Sequence, residues 1–210
     1  MRNRIVFAVM LFAAASGMLA ASGCSGKKDG AKDDKAAVKQ EPPKPDFGTM
    51  PRELCDREAI KKISVDIVDK QVFIVTDREN LLASQTLEGQ VEMAKSMAEG
   101  FLDMVPEPEN CTVKEETVAC DDALAVLNKA NGGAYDDKVM KKNLQELKVA
   151  ECGLLTQEMD AWGARQKMYY YVGKIGGKWV YIFNVSQMQL DMQTNQEEGK
   201  AQAKEQKQPE

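Results

Sequence analysis

Histidine is absent from all 210 residues. That absence removes every Ser–His or Cys–His couple, the HExxH zinc site and most catalytic zinc or copper centres. An excess of basic charge is missing too, with 28 lysines and arginines set against 33 acidic residues. No basic patch is there to displace counterions from a nucleic acid, so a polyanion partner is excluded as an expectation. No Cys-x-x-Cys pair occurs among the five cysteines, which leaves thioredoxin-like redox chemistry without its motif. "GKIGGKW", residues 173–179, is no phosphate loop: Val172 stands where glycine is required, and Trp179 follows Lys178 where Ser or Thr would hold magnesium. No DxDxDG calcium loop is present; Asp121-Asp122 and Asp136-Asp137 precede helical patterns, where carboxylates cap and oppose the dipole. Neither a cofactor nor a metal is expected.

Long apolar runs are also lacking. "IVFAVMLFAAA", Ile5 to Ala15, falls well short of the ~20 residues a bilayer-spanning helix needs. Arg2 and Arg4 precede it and the small, weakly polar "SGMLAASG" follows. That is the signal-peptide pattern over residues 1–23. Ala21-Ser22-Gly23-Cys24 then resembles the bacterial lipobox, an aliphatic residue and two small ones before cysteine. The resemblance implies that cleavage precedes Cys24 and that Cys24 carries a thioether-linked diacylglycerol. Two or three acyl chains hold a protein stably on a membrane where one does not. Ser25, in place of an aspartate that resembles an inner-membrane retention signal, implies the outer membrane, facing the periplasm. Cleavage removes two of the 28 basic residues and no acid, leaving 26 against 33 and a net charge of −7. Charge attraction to anionic lipid is thereby disfavoured, so the membrane is a partner through the anchor alone.

Residues 24–50 read as the cysteine that the resemblance implies is lipidated and a polar, Lys/Asp-mixed tether that includes "EPPKP", too poor in large apolar residues to pack. Residues 191–210 read as a disordered or frayed helical polar tail. Residues 51–190 between them make one domain.

Cys55, Cys111, Cys120 and Cys152 remain in an exported chain, an even count that predicts two disulfides. Three pairings are open. A short Cys111–Cys120 loop, with Cys55 left for Cys152, is the expectation.

Along the domain, "PRELCDREAIKKI" predicts a short helix. The β-branched "ISVDIVDKQVFIVTD" predicts two strands about Asp69-Lys70, or a helix continuing through Val68. Thr76 and Glu79 form a capping-box pattern, so a helix is expected from there, with a second start near Thr86. Met93, Met97 and Met104 widen its apolar face, and with Met188 and Met192 they read as core filler rather than soft-metal ligands. "CTVKEETVAC" alternates like a hairpin with Glu115-Glu116 near its tip. "DDALAVLNKANGG" and "YDDKVMKKNLQEL" predict two further helices. Three strands close the domain, with Gly176-Gly177 as a tight turn and Trp179, Tyr181, Phe183 and Val185 on one face.

The fold class is therefore α+β, an antiparallel C-terminal meander of about three strands packed on helices. "YYYVGKIGGKWVYIFNV" resembles the final hairpin of an NTF2-like (cystatin-like) domain. That resemblance implies a curved sheet around a helix and a cavity that serves catalysis in some members and docking in others.

Tyr169, Tyr171 and Trp162 belong to the aromatic concentration of the chain and are the candidate binding residues. No catalytic residue is assigned. The function expected is non-catalytic binding of another envelope protein or small ligand. The rivals are a hydrolase or isomerase using two carboxylates of Asp121, Glu151, Glu158 or Asp160 in one deep pocket, and an envelope assembly factor. The partner and oligomeric state are not encoded in any motif.

Overall fold

The computed structural model of the chain describes residues 45–82 and 84–205, with side chains described to residue 196. The proposed signal sequence, Cys24 and most of the tether lie outside the described residues. Six helices and four strands follow in the order α1 (Met50–Glu53), α2 (Arg57–Val75), α3 (Leu87–Gly100), β1 (Glu109–Val118), α4 (Cys120–Ala130), α5 (Asp137–Glu146), β2 (Val149–Ala161), β3 (Ala164–Ile175), β4 (Lys178–Ser186) and α6 (Gln187–Glu205). A single 3-10 turn, Leu102–Met104, follows α3. The strands form one antiparallel sheet in the order β1-β2-β3-β4. The α+β class and the C-terminal meander are as expected, with β1 as an added edge strand.

Each sheet face carries its own core. Alternation along β2 and β3 sends Cys152, Leu154 and Tyr171 to one face, here face A, and Leu155, Tyr170 and Val172 to the other, face B. Face A packs against Leu124 and Leu127 of α4, Met140 and Leu144 of α5 and Ile74 of α2. Face B packs against Phe47, Leu54 and the first half of α2, through Ile63 and Ile67. A Cβ at Gly153 would stand 2.5 Å from the Phe47 ring, so glycine is what lets Phe47 lie on the strand.

One helix replaces the two strands expected about Asp69-Lys70. Asp56 caps α2 by accepting from the Ala59 amide at 2.7 Å. Ile60, Ile63, Ile67 and Ile74 are its buried residues, and their spacing is that of one helical face. Packing of that face outweighs the modest helical penalty of β-branched side chains. The helix expected from Thr76 does not form. Thr76 is instead the C-cap of α2, and Asp77 accepts from the Glu79 amide and the Asn80 side chain in a turn. Thr86, the second start, is the actual N-cap of α3, its hydroxyl accepting from Gly89.

Asn143 of α5 decides where α2 stops. Its side-chain amide donates to the carbonyls of Phe73, Ile74 and Thr76 at 2.9–3.1 Å, while its Oδ1 accepts from Arg78 at 2.8 Å. A helix leaves its last carbonyls without partners. Here they are satisfied from a neighbouring helix inside the core.

The hairpin expected at Glu115-Glu116 is one continuous strand, with Glu115 opposite Leu155 and Glu116 opposite Leu154. Two glutamates are poor residues for a primed turn, and charges suit an edge strand. This overturns the expected disulfides. Cys111 lies near the start of β1 and Cys120 just past its end. At ~3.3 Å per residue they stand roughly 25–30 Å apart, far beyond the ~4.4–6.8 Å a disulfide tolerates. The bridges are Cys55–Cys111, Cα–Cα 5.7 Å, and Cys120–Cys152, Cα–Cα 5.2 Å. The first ties the α1–α2 junction to β1; the second ties the start of α4 to β2.

Two further differences concern the sheet and the methionines. Tyr171 pairs with Phe183 but Val172 with Tyr181, so Ile182 is an extra, bulged residue. The bulge splits the expected aromatic face: Trp179 and Tyr181 join face B, Phe183 and Val185 face A. Met93, Met97, Met104, Met188 and Met192 are exposed rather than core filler; among the described residues the buried methionines are Met140, Met159 and Met168. Finally, Asp136 caps α5 as expected, whereas α4 is preceded by Ala119 with no side-chain cap.

Candidate docking site

The helices cover only part of face A. Beyond Leu154, β2 carries Glu158 and Asp160 on that face, and register sets Lys167 opposite Glu158 and Arg165 opposite Asp160. The result is a ladder of opposite charges at the β2–β3 end of the sheet. Arg165 reaches Asp160 at 3.2 Å and Glu158 at 3.6 Å, while Lys167 and Lys114 approach Glu158 at 3.8 and 3.9 Å. Partly exposed pairs contribute little stability, on the order of 0–1 kcal/mol each. What the network supplies is orientation.

Asn110 locks it in place. The residue sits where the β1–β2 register shifts, in the left-handed region at φ +46°. Its side-chain amide donates to Asp160 at 2.7 Å, and its carbonyl accepts from Arg165 at 3.0 Å. The Asn110 amide, and after it the Arg165 guanidinium, hold the Asp160 carboxyl below its usual range. Cys111, the next residue, is fixed by its disulfide to Cys55.

Trp162 stands at the end of this braced hairpin. Ala161 pairs with Ala164, leaving Trp162-Gly163 as a two-residue loop with φ of +51° and +76°. Positive φ at both central positions is the type I′ signature, in which Asn or Gly is preferred. A bulky residue there costs roughly 1–2 kcal/mol of backbone energy. Its side chain is nonetheless 56% exposed. Backbone conformations of this kind concentrate at functional sites, which makes Trp162 a candidate residue.

Of the other candidate binding residues, Tyr169 is at the border of the ladder. It is half-buried, its hydroxyl donates to Gln187 at the start of α6, and Lys167 lies 5.3 Å above its ring. Tyr171 is not part of any exposed face. It is 4% exposed, stacked on Phe183 at 4.5 Å, and burial pushes its ionisation up to about 12. An exposed surface carrying both Tyr169 and Tyr171 is therefore corrected to one carrying Trp162 and the ladder, bordered by Tyr169. Sequence reading missed Asn110, Lys114, Arg165 and Lys167.

The four candidate carboxylates do not converge on one pocket. Glu158 and Asp160 lie in the open ladder. Asp121 pairs with Lys141 at 2.8 Å in the first turn of α4, and Glu151 pairs with Lys174 at 2.8 Å near the start of β2. A groove of about 360 Å³ runs between α4 and α5, lined by Asp121, Asn128, Asp137 and Lys141 among others. Asp137 there accepts from Asn128 at 2.8 Å. Both its carboxylates are thus engaged by neighbours. Among the described residues, no group of three or more Cys, Asp and Glu side chains is disposed to hold a metal ion. No helix among them is long and apolar enough to cross a membrane.

No protein-family model matches the chain, and no curated protein or solved structure is significantly similar to it.

Proposed function

We propose that this chain is a lipid-anchored envelope protein whose domain docks another envelope protein through the Trp162 hairpin. The anchor rests on the lipobox resemblance at Ala21–Cys24, on the outer membrane facing the periplasm. Two disulfides are consistent with an oxidising compartment. The observation that carries the docking role is Trp162 itself, exposed in a left-handed turn. Tryptophan is the residue type most enriched at binding hot spots, and arginine beside it is another. The charge ladder supplies a polar rim of the kind that fixes register with a partner. Acid–base catalysis finds no support at Asp160, whose carboxyl is held below its usual range by the Asn110 amide and then by the Arg165 guanidinium, or at Glu158, which lies in the open ladder 3.6–3.9 Å from Arg165, Lys167 and Lys114.

The test is photo-crosslinking in intact cells that produce the protein, with a photoreactive residue at position 162. A control probe goes to Gln145, exposed on α5. The expected result is one discrete protein adduct from position 162, in the membrane fraction, and none from position 145. Equal adduct patterns from the two positions, or no adduct from 162, would refute docking through this hairpin.

A further inference from the structure

A second surface, separate from the Trp162 hairpin, lies on α3. None of its residues is buried. Leu87, Val91, Ala94 and Ala98 form its inner, half-buried side, and α2 is its main neighbour. The outer side carries Met93 and Met97, continued by Met104 in the 3-10 turn, at 50%, 39% and 41% exposure. Met93 and Met97, four residues apart, share one side of α3, and Met104 follows in the next turn of chain. Gly89, Ser96 and Gly100, all small and exposed, lie beside that side, so no long side chain stands next to the methionines there. Three unbranched, polarizable side chains make a surface that adapts to varied apolar partners.

Charge says what kind of occupant fits. At 100° per residue, Glu88, Glu92 and Glu99 form a separate row, on the far side of Gly89, Ser96 and Gly100 from the methionines, and Asp103 follows in the 3-10 turn. Among the described residues none of these four carboxylates is in an ion pair; the one lysine of α3, Lys95, is taken up by Asp69 at 2.8 Å. A second copy of α3 laid on the first would set carboxylate against carboxylate, and an anionic lipid surface would be repelled likewise. We propose that the outer side of α3 receives a basic amphipathic helix of a partner protein. Its leucine-like face seats on Met93, Met97 and Met104, and its lysines or arginines meet Glu88, Glu92, Glu99 and Asp103.

The experiment follows the methionine methyl signals of full-length ¹³C-methyl-labelled protein. The probes are two synthetic amphipathic helices, one of Leu and Lys, the other of Leu and Glu in the same pattern. The Leu/Lys helix should move the Met93, Met97 and Met104 methyls and leave the buried Met140, Met159 and Met168 unmoved; the Leu/Glu helix should move none. Glu92→Gln/Glu99→Gln should weaken the Leu/Lys helix about fivefold or more, and raised salt should weaken it similarly. Met93→Gln/Met97→Gln, at exposed positions, should abolish the shift of the remaining Met104 methyl without changing the unfolding midpoint. The proposal is overturned if the two helices act alike or if no α3 methyl moves. It is equally overturned if Met188 and Met192 respond instead, or if the α3 methyls move with protein concentration alone, which would assign the surface to self-association.

Discussion

Replacing Cys55 and Cys111 together with serine is expected to lower the free energy of unfolding by about 4 kcal/mol, on loop-closure entropy for a separation of 56 residues. The Cys120–Cys152 bridge spans 32 residues, and its removal is expected to cost nearly as much, about 3.7 kcal/mol. The two bridges are not equivalent. Cys55–Cys111 is the covalent link between the helical N-terminal segment and the edge strand β1. Its loss loosens that edge, and with it Asn110 and the ladder around Asp160. Cys120–Cys152 joins α4 to the buried middle of the sheet, where Cys152 is 2% exposed. Its loss is expected to destabilise the core while leaving the Trp162 hairpin in place. Guanidinium unfolding of the two double variants measures both values. Non-reducing peptide mapping checks the pairing directly: a fragment joining Cys111 to Cys120 would contradict the fold, because β1 holds those residues far apart.

The second large effect is expected at Asn143. Its side chain is the donor for three carbonyls at the end of α2 and an acceptor for Arg78, and the residue is 2% exposed. Asn143→Ala leaves those carbonyls buried and unpaired, which is expected to cost about 3 kcal/mol. Asn143→Asp is the sharper variant. It keeps the shape and gains a charge beside Arg78, yet turns the donor into an acceptor facing three other acceptors. At neutral pH it is expected to destabilise at least as much as alanine, measured by urea unfolding. If Asn143→Asp matched the wild type, the role assigned to the amide would be wrong. Arg78 also stacks on Phe73 at 4.2 Å and pairs with Glu146, whose carboxyl it lowers below the usual range. A lowered carboxyl pKa gives a contribution present above the ordinary carboxylate range and lost as pH falls through the folded-state value.

The last three strands were legible because several local signals agreed on them. Gly176 and Gly177 take φ of +58° and +81°, which few other residues tolerate, and the flanking runs are β-branched and aromatic. The bulge at Ile182 left no such mark, so strict alternation put Phe183 and Val185 on the wrong face. In α2 the isoleucine spacing carried the helical period, but seven β-branched residues from Ile63 to Val75 carried the opposite propensity, and tertiary packing decided. Thr76 and Glu79 showed a cap pattern that Asn143, distant in sequence, overrode. Of the site, Trp162 was legible as an aromatic and Glu158 and Asp160 as carboxylates. Arg165 and Lys167 were recoverable: once Trp162-Gly163 is taken as a two-residue loop, counting outward sets Asp160 against Arg165 and Glu158 against Lys167. Asn110 was not, because its role depends on a register shift in a strand pairing fifty residues away.

The docking reading depends on Trp162 being held at a cost. The measurement that tests this most directly is the unfolding free energy of Trp162→Asn against the wild type. Asparagine suits the left-handed first position of a type I′ turn, so stability is expected to rise by about 1 kcal/mol. A rise would mean that tryptophan occupies the turn for something other than folding. An unchanged or lower stability would contradict that claim and assign Trp162 to the architecture of the hairpin instead.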